Sequence, residues 1–126
     1  MGATKHLELE AWQLAHELRC EWHSVLTRSN ARSDSEFCSE TRRAARSACR
    51  NLVEGFYRFK HPQFAHFVNI AKSSVGELFD SLHEARLKHY IDENEYRRLQ
   101  GLTERALKAA TRLYSYLSNN PTPGED

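Results

Sequence analysis

Between Pro62 and about His89, apolar residues recur with a spacing that suits a single backbone geometry. Phe64, Val68, Ala71, Val75, Leu78, Leu82 and Ala85 are separated by 4, 3, 4, 3, 4 and 3 residues. At about 3.6 residues per turn a helix places all seven on one stripe, whereas a strand would throw them to both its faces. A stripe of this kind has to be buried against another element, so the chain must supply further apolar faces. It supplies three. Tyr96, Leu99, Thr103, Ala106, Ala110, Leu113 and Leu117 repeat the seam, widened by Leu102, Ala109 and Tyr116. Ala11, Leu14, Ala15, Leu18, Trp22, Val25 and Leu26 form a third stripe, and Phe37, Thr41, Ala44, Ala48, Leu52 and Gly55 a fourth.

Breakers and caps set the limits. The predicted helices span about 6–27, 35–59, 62–89 and 92–118, with a frayed tail over 119–126. Asp34 or Ser35 is positioned to cap the second helix, with Glu36 in its first turn, and Asp92 to cap the fourth. Pro62 ends one helix and suits the first turn of the next. Leu and Ala together number 27, against 6 Val and Ile, which favours helices over a sheet. With 126 residues there is room for one domain. The expected fold is all-α: a single domain, residues 1–126, in an antiparallel up-down four-helix bundle.

Several function classes lose support. No apolar run approaches the roughly 18 residues of a membrane span, and the first residues carry no signal-peptide-like stretch, so the chain is expected to be soluble and cytoplasmic without a membrane partner. Gly2 raises N-myristoylation, but His6 stands where that motif has Ser or Thr. There is no Glu-x-x-His pair of the kind that builds di-iron sites in bundles, and Asp80-x-x-His83 is the nearest approach. The seven histidines are scattered and read as surface or interface residues rather than as partners of a cysteine. Cys20, Cys38 and Cys49 lack CxxC spacing and are expected to be buried thiols. Gly55, Gly76 and Gly101 stand alone, so no phosphate-cradling loop is present. No catalytic residue, metal site or cofactor is expected; the protein reads as a non-enzyme.

Charge is distributed unevenly. The formal net charge is +1, yet residues 42–60 contain six basic side chains and a single acid, Glu54. Arg42, Arg46, Arg50, Val53 and Tyr57 fall on the outer side of the second helix, with Arg43 nearby. Such a stripe, ending in a tyrosine, can track a phosphate backbone and stack a base. It can equally be a solvated face, or be consumed at a subunit interface. The third helix carries Ser73, Glu77, Asp80 and Glu84 on its outer side with Ile70 exposed among them. A basic stripe on one helix and an acidic one on the next are complementary, as a head-to-tail ring contact requires, with Ile70, Val53 and Tyr57 as its apolar part.

The run Arg42-Arg43-Ala44-Ala45-Arg46-Ser47-Ala48-Cys49-Arg50-Asn51-Leu52-Val53-Glu54-Gly55, followed by Arg58, resembles the RRAAxSIPxNIAEGxxR signature of the 23S rRNA intervening-sequence family of four-helix-bundle proteins. Phe67 to Leu78 is similar to that family's FLxIAxGSxxEL, and Leu9 to Ala15 to its opening helix. The resemblance extends through Tyr90-Ile91-Asp92-Glu93 and implies a left-handed bundle assembled into a homopentameric ring with a central channel. Related accessory proteins of diversity-generating retroelements bind nucleic acid and a reverse transcriptase through a basic pentamer. No catalytic activity is attached to the family.

Arg46, Cys49 and Arg50 stand where the family usually has an apolar residue, a proline and a small residue, which makes the stripe more basic. Ser47, Asn51, Glu54, Arg58 and Glu77 match its polar positions and are expected to form an interhelix hydrogen-bond network rather than a ligand site. The resulting expectation is a ring that binds RNA or DNA, with Arg42, Arg43, Arg46, Arg50 and Tyr57 as contacts. Subunit contacts are expected at Val53, Ile70, Glu77, Asp80 and Glu84. The competing expectation is a protein scaffold, with an unknown protein partner, whose arginines serve assembly.

Overall fold

In a computed structural model, which describes residue 3 and residues 5–124, the three turns fall where the breakers stand, and each reverses the chain. A single 3₁₀ turn, His6–Glu8, precedes α1 (Glu10–Leu26), α2 (Ser35–Phe56), α3 (His61–Leu87) and α4 (Glu93–Asn119). Among the described residues there is no strand. Each helix packs on its two neighbours around the bundle: α1 on α2 and α4, α3 on α2 and α4, with α2 and α3 joined most extensively. Gly2, Glu125 and Asp126 lie outside the described residues.

The stripes become the core. All seven seam residues of α3 are buried, as are the seven of α1, the six of α2 and the seam of α4. In the second row of α4, Leu102 and Ala109 are buried but Tyr116 is 37% exposed, near the helix end, where its ring lies 5.9 Å from that of His61 at the start of α3.

Ends differ from the expected limits more than faces do. The first helix does not run from His6: Leu9 takes extended backbone, turns its side chain into the core, and separates the 3₁₀ turn from α1. α2 stops at Phe56 rather than Phe59, since residues 57–60 are needed to reverse the chain into α3. The tail is not simply frayed. Thr122 is buried, and its hydroxyl accepts from the His61 backbone N–H at 2.8 Å, while His61 Nδ1 donates to the Asn120 carbonyl at 2.9 Å. Lys60, the N-cap of α3, offers no side-chain cap, so the tail satisfies a first-turn donor that would otherwise lack a partner.

At the opposite end the α1–α2 loop is tied to the α3–α4 turn. Arg28 grips Glu95 through both guanidinium nitrogens, at 3.1 and 2.5 Å, and also donates to the Tyr90 carbonyl. Asp34 caps α2 at the Phe37 N–H and accepts from Lys88 Nζ at 2.8 Å and the Tyr90 hydroxyl at 2.7 Å. These donors hold the Asp34 carboxyl down at about 2. Asp92 and Glu95 close a capping box at the start of α4.

Candidate functional site

α2 has two faces of opposite character. Asp34 starts it, and Ala44, Ala45 and Ala48, all buried, leave little side-chain standoff, which lets α3 come close. Near its end Gly55 has no side chain where one could not fit. An added Cβ would lie 2.8 Å from Phe64 Cδ1 and 2.9 Å from Phe67 Cβ. The helix is unbroken through Cys49, where the family signature has proline.

Close packing of the inner face leaves Arg42, Arg43, Arg46 and Arg50 exposed on the outer one. They line one open groove of about 660 Å³, together with Ser47, Asn51 and Glu54. Four residues of helix advance about 6 Å, so Arg42, Arg46 and Arg50 stand in a row about 12 Å long. Arg43 pairs with Glu77 of α3 at 3.4 Å. Among the described residues no ion pair is made by Arg42, Arg46 or Arg50.

The polar positions divide into two sets. Ser47 Oγ meets Ser74 Oγ of α3 at 2.8 Å, Asn51 Nδ2 donates to both the carbonyl and the hydroxyl of Ser47, and Ser74 donates to the Ile70 carbonyl. Glu54 and Arg58 form their own pair at 2.6 Å, one turn apart, and Arg58 lies over the Phe67 ring.

Tyr57 does not join the arginines. As the C-cap of α2, 62% exposed, it lines a separate cavity at the end of the bundle with Phe59, His61 and Tyr116, and its hydroxyl meets His6 Nδ1 at 3.0 Å. The residues expected at a subunit contact lie on both α2 and α3. Ile70 is half-buried rather than exposed, because it flanks the seam between Val68 and Ala71 and is partly covered by that packing. Val53 is half-buried beside Trp12 and His16 of α1. Asp80 is exposed, Glu77 turns to Arg43, and Glu84 accepts from Lys88 at 2.7 Å.

Of the three cysteines expected to be buried, Cys20 is not, because it lies on the solvent side of α1. Cys38 and Cys49 are buried, and burial pushes both thiols up, Cys49 to about 11 despite the opposing pull of Arg19. Cys20 is exposed, with Sγ 3.6 Å from His16 Nε2. That histidine stands four residues earlier on the same helix, so the spacing itself carries the signal, and the expectation that no histidine accompanies a cysteine was incorrect.

A second group was missed by sequence reasoning, although Trp12, His16 and Arg19 are spaced 4 and 3 residues apart and so share one face of α1. His6, Trp12, His16 and Arg19 line a cavity of about 350 Å³ with Arg50 and Glu54 of α2. The Trp12 and His16 rings stack at 4.7 Å, and His6 meets Trp12 edge-on at 5.0 Å. Arg50 and Glu54 border both this cavity and the arginine groove.

The sequence matches the family model of the 23S rRNA-intervening sequence protein over residues 7–112. The chain belongs to that family. No curated protein matches it. For this member of the 23S rRNA-intervening sequence proteins, the matched span includes the whole arginine face, both cavity-lining segments of α1 and α2, and most of α4. Among the described residues, no helix is long and apolar enough to cross a membrane, and no group of three or more His, Cys, Asp or Glu side chains could hold a metal ion.

Proposed function

We propose that this family member is a non-enzymatic protein that assembles into a homo-oligomeric ring, a pentamer, and binds RNA or DNA through the outer face of α2. The observation carrying the nucleic-acid reading is the row of Arg42, Arg46 and Arg50, exposed along one groove and making no ion pair among the described residues. Guanidinium groups in such a row meet phosphates without reading base identity, so they position a strand rather than select its sequence. The ring is proposed to form through α3, with Glu77, Asp80, Glu84, Ile70 and Val53 at the contact between copies, leaving Arg42, Arg46 and Arg50 outside it.

One observation favours the competing scaffold reading. Arg43 already finds Glu77 within the chain, so a carboxylate on α3 is a fitting partner for an arginine on α2.

The deciding experiment is fluorescence anisotropy with a structured RNA and a DNA duplex over a salt series, on a sample whose mass has been fixed by light scattering. Binding weakens steeply with salt, and Arg46→Ala and Arg50→Ala each lower the slope of log K against log salt by about 1 at unchanged mass. No binding at low salt would assign the arginines to assembly. Glu77→Lys combined with Glu84→Lys yields monomers; unchanged mass would remove the proposed ring contact.

A further inference from the structure

The cavity between α1 and α2 adjoins the arginine groove without belonging to it. Its walls are unusual for a helix surface. The Trp12 and His16 rings lie nearly parallel, at an interplanar angle of 10°, one turn apart on α1. His6 closes one side edge-on and is held in place by the Tyr57 hydroxyl. Arg19 and Arg50 stand at the rim from opposite helices. The single carboxylate there, Glu54, is matched by Arg58 at 2.6 Å. A phosphate on the α2 row at Arg50 therefore sits directly beside an aromatic-walled cavity, because Arg50 borders both.

Resting on the nucleic-acid reading above, we propose that this cavity receives an unpaired base, so that the bound nucleic acid is single-stranded where it crosses Arg50. Two features of the cavity select a base, and the geometry of a duplex requires that base to be unpaired. At about 350 Å³ it lies within the size range of small-ligand pockets. Trp12 and His16 already stack on one another, and His16 is exposed, so a base can extend that stack on the outer face of His16, whereas an acidic peptide would use only the two arginines and gain nothing from the rings. A paired base in a duplex has its faces covered by its neighbours and its edge by its partner, so it cannot enter without leaving the helix. The phosphates on either side would stay on Arg46 and Arg50, and Arg19 would meet the next phosphate from across the cavity.

The test compares three labelled probes by anisotropy: a mixed-sequence single strand, the same strand annealed to its complement, and a strand of equal length whose every nucleotide is abasic. The single strand binds about tenfold more tightly than the abasic one, the low end of what base–aromatic stacking contributes. It also quenches tryptophan fluorescence, which the abasic strand does not, because Trp12 is accessible while Trp22 is fully buried. His16→Ala and Tyr57→Ala, both at exposed positions, abolish that preference and leave abasic binding unchanged. Arg46→Ala weakens all three probes alike.

If the abasic strand or the duplex binds as well as the single strand, the base site is overturned and the phosphate track stands. If polyglutamate of matched charge displaces the single strand as effectively as unlabelled strand does, the ligand is an acidic protein. If no probe binds at low salt, both readings fall together.

Discussion

Where the 27–34 loop meets the 88–92 turn, polar groups close on one another: Arg28 on Glu95, and Lys88 and Tyr90 on Asp34. Behind them the rings of Trp22, Phe37 and Tyr90 continue into the core. At the other end of the bundle, Tyr57 and Phe59 face outward, 62% and 72% exposed, and the tail covers only the start of α3. The first arrangement spends its side chains on the fold. The second leaves large aromatic surface uncovered, the kind of surface that stability does not require and binding uses. The contrast separates positions whose loss unfolds the chain from positions whose loss changes only what it meets.

The largest expected effect comes from exchanging phenylalanines across that divide. Phe37→Ala removes a ring that is 2% exposed and costs about 3–5 kcal/mol in urea denaturation. Phe59→Ala, on the open end, changes stability by no more than about 0.5 kcal/mol. Comparable losses from the two would erase the distinction between the ends.

Glycines sharpen it at a smaller scale. Gly55→Ala forces a Cβ against Phe64 and Phe67, including the Phe64 carbonyl at 3.1 Å, and costs about 1–3 kcal/mol. Gly76, on the outer side of α3, has nothing within 4 Å of an added Cβ, and a mid-helix glycine is disfavoured relative to alanine. Gly76→Ala therefore stabilises the chain by about 0.5–1 kcal/mol. Light scattering on the same variant asks whether that bare stretch of α3 is a subunit contact: a smaller mass alongside higher monomer stability would place the contact there.

Faces, ends and cavities differ in how far the sequence alone reveals them. The seams of α1, α3 and α4 were legible because burial repeats with the helical period, and every residue of those seams is inside. Helix ends were less so. Leu9, Phe56 and Thr122 are governed by where the chain must turn and what lies nearby, and local periodicity carries neither. The arginine row was legible for the same reason as the seams, since 42, 46 and 50 are one turn apart. The cavity on its flank was legible only in part: Trp12, His16 and Arg19 share a face of α1 by spacing, but His6, and Arg50 and Glu54 of α2, join them only through tertiary packing. His16 and Cys20 could have been paired from spacing alone.

Acid titration probes the closed end without mutating its core. Lys88, Tyr90 and the Phe37 N–H hold the Asp34 carboxyl at about 2, below its ordinary 3.8. A depressed carboxylate contributes stability that is fully present above 3.8 and is lost as pH falls through 2. Arg28 lowers Glu95 in the same sense. Wild-type stability should therefore fall between about pH 4 and pH 2, and Asp34→Asn should start lower and lose less over that window. Equal acid sensitivity in the two proteins would mean that the Asp34 contacts do not hold the turn.

The smallest effect concerns the single residue at the closed end whose backbone works against its side chain. α3 ends in a Schellman arrangement: the Tyr90 N–H reaches the Ala85 carbonyl at 2.8 Å and the His89 N–H reaches the Arg86 carbonyl at 3.2 Å. That geometry puts His89 at φ 60, the left-handed region where glycine is at ease and a Cβ is crowded. The polar contact at this position is made by backbone, since Asn30 Nδ2 donates to the His89 carbonyl, so removing the exposed imidazole leaves it intact. His89→Gly relieves the crowding but gives the unfolded chain more freedom to lose on folding, so the net gain is about 0.5–1 kcal/mol. His89→Ala keeps the Cβ and separates the two contributions: it should gain nothing. If alanine stabilises as much as glycine, the imidazole itself is the unfavourable group, and the turn's backbone is held without strain by Asn30 and the α3 carbonyls.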